Sequence, residues 1–154
     1  MPKLNAKQLR KTPPKDGELK AIKRNPIYIV ADNVIDTYNV GSLFRLADAI
    51  AAEKLYLCGE CEYPPSSKIH KAAVGTEEWV PWKKVGSPPR LIGDLKQKGV
   101  QIIVVEQSPN SLPYSLLATK IKFPCAIVVG NETAGVSPKV LKSADIISNY
   151  PCLG

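Results

Sequence analysis

Apolar residues along this chain fall into short runs separated by polar stretches rich in proline and glycine, and the period of each run types the element it forms. Ile27, Tyr28, Ile29 and Val30, closing in Ala31 and Asp32, form a continuous apolar run too short for a helix, which predicts a buried strand. After a loop over residues 33–38 the period changes. Across residues 40–52, Val40, Leu43, Phe44, Ala47, Ile50 and Ala51 share one helical face. Residues 54–58 return to a strand, and the crossover between the two strands is long enough to make them parallel.

The same punctuation divides the rest. A proline-rich loop covers residues 59–65. A short helix is expected over residues 66–74, capped by Ser66 or Ser67 and stopped by Gly75. Residues 78–82 read as extended, and Pro81 within them predicts an edge or irregular strand. Ser87 caps and Pro88 opens a helix that runs to Lys98 and stops at Gly99. A strand over 101–106, a long loop over 107–122 and a strand over 124–129 follow. A helix opened by Ser137 and Pro138 and a last strand over 146–148 complete the series. Strands alternating with helices predict an α/β fold with a mostly parallel sheet flanked by helices.

Charge divides the chain unevenly. Eight of its 21 lysines and arginines but only two of its 14 acids lie in residues 1–26, so this stretch carries +6 of the formal +7. Asn25-Pro26 marks a break after it, giving a basic N-terminal extension (1–26) and a domain (27–154). A basic segment suits a polyphosphate partner, and Arg10, Lys11, Lys23 and Arg24 are candidate RNA contacts. The extension lacks the apolar core of a secretory signal, and no apolar run approaches the ~18 residues of a membrane span. A cytoplasmic location without membrane contact is therefore expected.

The four cysteines point to neither metal nor redox chemistry. Cys58-Gly-Glu-Cys61 is a CxxC, but Cys125, Cys152 and His70 are too scattered to complete a zinc site. Pro64 and Pro65 follow too soon for the helix that would activate the thiols. No metal is expected.

Two strand ends carry candidate chemistry, since ligands of open parallel sheets bind at carboxyl ends. The first is Asn39-Val40-Gly41-Ser42-Leu43-Phe44-Arg45, which sets an arginine inside an apolar helical stretch. The second is Gly130-Asn131-Glu132-Thr133-Ala134-Gly135-Val136, a turn from a buried strand into a capped helix. It misses the phosphate-binding P-loop because Val136 stands where the lysine must be. An acid at this turn suits a cationic or neutral ligand better than a phosphate.

These two stretches, in this order, resemble motifs 1 and 2 of the SpoU (TrmH-type) RNA 2'-O-ribose methyltransferases, and residues 71–82 resemble the stretch between them in small single-domain members. The resemblance covers residues 25–154. It implies a SPOUT-type α/β knot, S-adenosylmethionine as cofactor, tRNA or rRNA as substrate, and a homodimer. By the same resemblance Arg45 is the catalytic arginine, Asn39 orients it and the RNA, and Glu132 positions the centre. Val105, Glu106, Gln107, Gly130 and Asn131 border the cofactor. Tyr150, Pro151 and Cys152, by the same resemblance also cofactor-binding, match the opening of a third motif whose closing helix has no counterpart before Gly154. A knot left incomplete is therefore expected. A non-catalytic RNA-binding or dimerisation module of the same ancestry is the alternative. A different nucleotide enzyme of doubly wound fold is disfavoured, because no G-x-G-x-x-G follows the first strand.

Overall fold

The computed structural model of the chain describes residues 3, 5–9 and 11–150. Its strands are β1 (Asn25–Asp32), β2 (Ala52–Cys58), β3 (Trp82–Val85), β4 (Gln101–Val105), β5 (Leu112–Pro113), β6 (Cys125–Gly130) and β7 (Ile146–Asn149). They form one sheet in the order β3-β2-β1-β6-β4-β7-β5, with every neighbouring pair parallel. The helices are α1 (Ala6–Leu9), α2 (Glu18–Ala21), α3 (Thr37–Ala49), α4 (Ser67–Ala73), α5 (Pro88–Gln97), α6 (Tyr114–Leu117) and α7 (Pro138–Lys142).

Alternation along the strands sends successive side chains to opposite faces. Ile29, Ala31, Leu55 and Leu57 pack under Val40, Phe44 and Ala47 of α3 and Ile69 of α4. Val30, Ile102, Val104 and Val128 pack on the other face, under Leu91, Ile92 and Leu95 of α5 and Val140 of α7. Gly41 lets α3 and α4 touch: a Cβ there would overlap the Ala72 side chain and lie 2.8 Å from the Ala73 nitrogen.

The departures from expectation have local causes. β1 starts at Asn25 rather than after Pro26, because the Asn25 amide donates to Ala51 O at 2.7 Å; the β1–β2 register shifts between Asn25 and Tyr28, around the proline that has no donor. α3 starts at Thr37, ahead of the expected Val40, because the Asp36 carboxylate caps the Tyr38 amide at 2.8 Å. It ends at Ala49, and Ala51 at φ 48° turns the chain into β2. Residues 76–78 wind into one 3-10 turn, so the edge strand β3 begins only at Trp82, beyond Pro81. The expected loop over 107–122 contains β5 and α6, elements too short to leave a periodic signal.

The chain builds β2 and β3 on one side of β1, then crosses to build the rest on the other side. The order reverses at β1, which places the crevice typical of open parallel sheets at its carboxyl end, beside those of β6 and β4. Replacing Phe44, fully buried and edge-on to Trp82, by alanine is expected to cost ~3–5 kcal/mol of stability, measured by chemical denaturation.

Candidate active site

Asp32 closes β1 with a fully buried carboxylate. Its Oδ2 accepts from the Ser137 amide at 2.8 Å and from the Ser137 hydroxyl, and its Oδ1 accepts from Asn33 Nδ2 at 2.8 Å. The carboxylate thus draws the start of α7 onto the end of β1. Asn33, in the left-handed region at φ 55°, turns the chain away, and its carbonyl accepts from Asn131 Nδ2 at 2.9 Å. An acid closing an otherwise apolar run is the sequence signal for this buried carboxylate.

The turn over residues 130–137 is tied at every step. Asn131 and Gly135 exchange backbone hydrogen bonds at 3.0 Å each way, and Asn131 Oδ1 accepts from the Thr133 and Ala134 amides. Glu106, just past β4, accepts from the Val136 amide at 2.9 Å. The glycines serve these close approaches. A Cβ on Gly130 would overlap the Gly135–Val136 peptide, and one on Gly135 (φ 72°) would overlap the Glu106 carboxylate. Both glycines are required by the turn's own packing.

Glu132 is held at the tip of this turn, facing the start of α3. Its carboxylate accepts from the Ile35 amide at 3.2 Å, the Asp36 amide at 3.1 Å and Asn39 Nδ2 at 3.1 Å. Desolvation pushes its carboxyl up, but the bonds from Asn39 and from the Glu132, Ile35 and Asp36 backbone together outweigh it and hold the carboxyl below the ordinary range. A cavity of about 270 Å³ opens beside the pair, lined by Asn39, Ser42, Leu43, Val129, Gly130 and Glu132 among others.

Arg45 lies elsewhere. It is exposed and lines a separate cavity of about 390 Å³, with Thr12, Asp48, Val74, Gly75, Thr76 and Trp79. Six residues along a helix carry a side chain about 9 Å further and a third of a turn around, so Asn39 and Arg45 face different cavities. The N-terminal stretch reaches this second cavity. Trp79 Nε1 donates to Thr12 O at 3.3 Å, and Arg24 Nη2 donates to Trp79 O at 2.8 Å. Arg24 is thereby engaged inside the fold, while Lys11 and Lys23 are exposed. Val74, which also lines the cavity, sits at φ 57°, a conformation that costs a β-branched residue roughly 1 kcal/mol.

At the far strands, Val105 is 36% exposed, and Gln107 Nε2 donates to Tyr150 O at 2.8 Å. The Tyr150 ring stacks on Tyr114 with centroids 4.9 Å apart. Arg10, Pro151 and Cys152, with the segment expected to thread the knot, lie outside the described residues. The Cys61 thiol is structural: it accepts from the Val34 amide at 3.2 Å and donates to Ala31 O at 3.4 Å. Burial pushes the Cys58 thiol up to about 12. Among the described residues no group of three or more His, Cys, Asp and Glu is arranged to hold a metal, and no helix is long and apolar enough to cross a membrane.

The carboxyl of Glu132 sits lower in the folded chain than in the unfolded one. Its contribution to stability is therefore present above about pH 4.3 and is lost as pH falls through the folded value. Urea midpoints of the wild type and Glu132→Gln should differ at neutral pH and converge on acidification below that range.

A family model described as the SpoU rRNA Methylase family matches residues 26–154. The 23S rRNA (guanosine-2'-O-)-methyltransferase of Ralstonia nicotianae is 28% identical over 139 residues, which are 90% of this chain and 55% of that protein. The crystal structure of the TrmH/SpoU tRNA modifying enzyme of Aquifex aeolicus superposes with a TM-score of 0.74 at 27% identity, covering 97% of this chain and 71% of that one. The AdoMet-bound rRNA methyltransferase of Sinorhizobium meliloti superposes with a TM-score of 0.69 at 25% identity, covering 95% and 52%. The chain spans about half the length of the curated relatives it matches. With the first motif's asparagine bonded to the second motif's acid at the carboxyl ends of a parallel sheet, and with the family match running from β1 onward, the chain belongs to the SpoU rRNA methylase family.

Proposed function

We propose that this chain is the core of an S-adenosylmethionine-dependent methyltransferase acting on a ribose 2'-hydroxyl of rRNA or tRNA, in the cytoplasm. The observation that carries the proposal is the hydrogen bond between Asn39 and Glu132, which joins two motifs 93 residues apart at the crevice of the sheet. The relatives' activities support it: the Ralstonia protein is named for 2'-O-methylation of guanosine in rRNA, and the Aquifex enzyme for modifying tRNA.

The residues at the strand ends fit the cofactor. Val105 and Gln107 at the end of β4, Gly130 and Asn131 at the end of β6, and Tyr150 past β7 border one edge of the sheet. The carboxylates of Glu106 and Glu132 stand along that edge and suit a ligand that carries a sulfonium and an ammonium. The cofactor, when bound, supplies a methyl group on positively charged sulfur.

The chain must place the ribose and ease the loss of its proton, because a 2'-hydroxyl attacks poorly until that proton leaves. Arg45 is always charged and, among the described residues, has no ion-pair partner. Its guanidinium is available to fork onto an RNA phosphate and stabilise negative charge growing on the 2'-oxygen. Glu132 fixes Asn39 and the 35–36 backbone, so that Asn39 orients the incoming RNA. The extension over residues 1–26 adds phosphate contacts through Arg10, Lys11 and Lys23, while Arg24, bound to Trp79 O, anchors the extension instead. A homodimer fits the outward face of α3, where Tyr38 (68% exposed) lies on the same side as Arg45 and Leu46 (51%) is exposed nearer Asn39.

Arg45→Ala is expected to lower methyl transfer to bulk tRNA by roughly a hundredfold or more while leaving calorimetric binding of S-adenosylhomocysteine unchanged. Equal loss of cofactor binding would remove Arg45 from the catalytic role. A wild-type chain that binds tRNA but no S-adenosylhomocysteine would instead support a non-catalytic RNA-binding module.

A further inference from the structure

The charge count leaves residues 27–154 nearly neutral, yet the fold gathers cations at one place in the domain. A cavity of about 600 Å³ runs between the edge strand β3 and helix α5. Lys83, Lys84, Arg90 and Lys98 line it, Tyr56 forms part of its wall, and Asp94 is the one carboxylate among its lining residues. We propose that this groove is a docking surface for the sugar-phosphate backbone of RNA. The proposal rests on the reading that RNA is the substrate.

Three features favour an extended polyanion. First, Lys83, Arg90 and Lys98 are exposed, and among the described residues none is paired with a carboxylate. Charges held apart without counter-ions attract a chain of phosphates and release its condensed ions on binding. Second, the cations are spread rather than converging. Arg90 in the first turn of α5 and Lys98 at its C-cap both line the groove eight residues apart, roughly 12 Å along the axis, which suits successive phosphates better than a single anion. Lys84 is not one of these free charges: its Nζ donates to Gly59 O and Cys61 O and stands over the Tyr63 ring, on the face of β3 opposite Lys83. Third, the groove leads to the site. Its upper end is the turn Gly86-Ser87 after β3, and the Gly59 amide, just past β2, donates to Val85 O at 2.9 Å. Both belong to the carboxyl edge of the sheet that carries Asp32 and Gly130. An RNA strand lying along α5 would therefore approach the proposed reaction centre from the β3 side.

The test is binding of unfractionated tRNA, followed by fluorescence anisotropy across a salt series. It compares the wild type, the groove variant K83E/R90E/K98E and a control variant, K68E/K120E/K122E, which reverses three exposed lysines elsewhere. The groove variant is expected to bind roughly tenfold more weakly or worse. Its dependence of log K on log salt should be shallower by roughly 2 to 3, the share of three phosphate contacts. The control should stay within about twofold of the wild type. If the triple variant fails to fold by circular dichroism, R90A and K98A singly should each make the slope shallower by about 1. Equal weakening of groove and control variants would overturn the proposal, because net charge alone would then explain it. Unchanged affinity and slope in the groove variant would overturn it too, leaving these cations as guards of an open sheet edge. Absence of tRNA binding by the wild type would instead sink the RNA reading itself.

Discussion

A carboxylate with no access to water must find its hydrogen bonds inside the protein, and the way Asp32 finds them sets the geometry of the candidate site. Leaving such a charge unmatched costs several kcal/mol. Asp32 is satisfied by Asn33 next to it and by Ser137, 105 residues away. The start of α7 is thereby fastened to the end of β1. The stretch between the end of β6 and Ser137 is left with a single short path, which Asn131, Gly135 and Glu106 then stitch down. Glu132 stands at the tip of that path, and it reaches Asn39 because the turn beneath it cannot relax.

The same arrangement separates rigid parts from reactive ones. The residues that shape the turn are buried or spent on backbone amides. Those proposed to meet substrate are exposed or half-buried, Asn39 and Glu132 at the tip of the turn and Arg45 at its separate cavity. Gly41 contributes from below: with no side chain it lets α3 settle on α4, fixing the height of a helix that carries both Asn39 and Arg45. One helix therefore serves two cavities, one against the turn after β6 and one against the N-terminal stretch and Trp79.

Electrostatics follow the fold as much as the composition. The basic extension is not a detached tail, since Thr12 and Arg24 both bond to Trp79 and bring it to the wall of the Arg45 cavity. On the other side of the sheet's edge, lysines and an arginine dispersed in sequence line one groove. Cations at both places would meet a large polyanion on either side of the carboxyl edge.

The elements with a clean period were legible in the chain itself. The apolar run at residues 27–32, the helical face of Phe44 and Ala47, and the serine-proline opening at Ser87 each carry local physics strong enough to set structure without help, whereas the Ser137 hydroxyl caps nothing and goes to Asp32. Asn39, Arg45 and Glu132 were legible as candidates because motif order is a property of sequence. What required tertiary structure was every fact that depends on two distant segments meeting. In the sequence Asp32 is only the end of an apolar run, Gly130 and Gly135 are only the ends of a turn, and the net charge is a property of residues 1–26. Only the packed sheet showed the acid bound to Ser137, the close contacts that Gly130 and Gly135 permit within their turn, and Lys83, Arg90 and Lys98 lining one groove. The reason is that a period reports on neighbours within a turn or two, whereas burial and charge density are set by the parallel crossovers that bring residues far apart in sequence to one edge of the sheet.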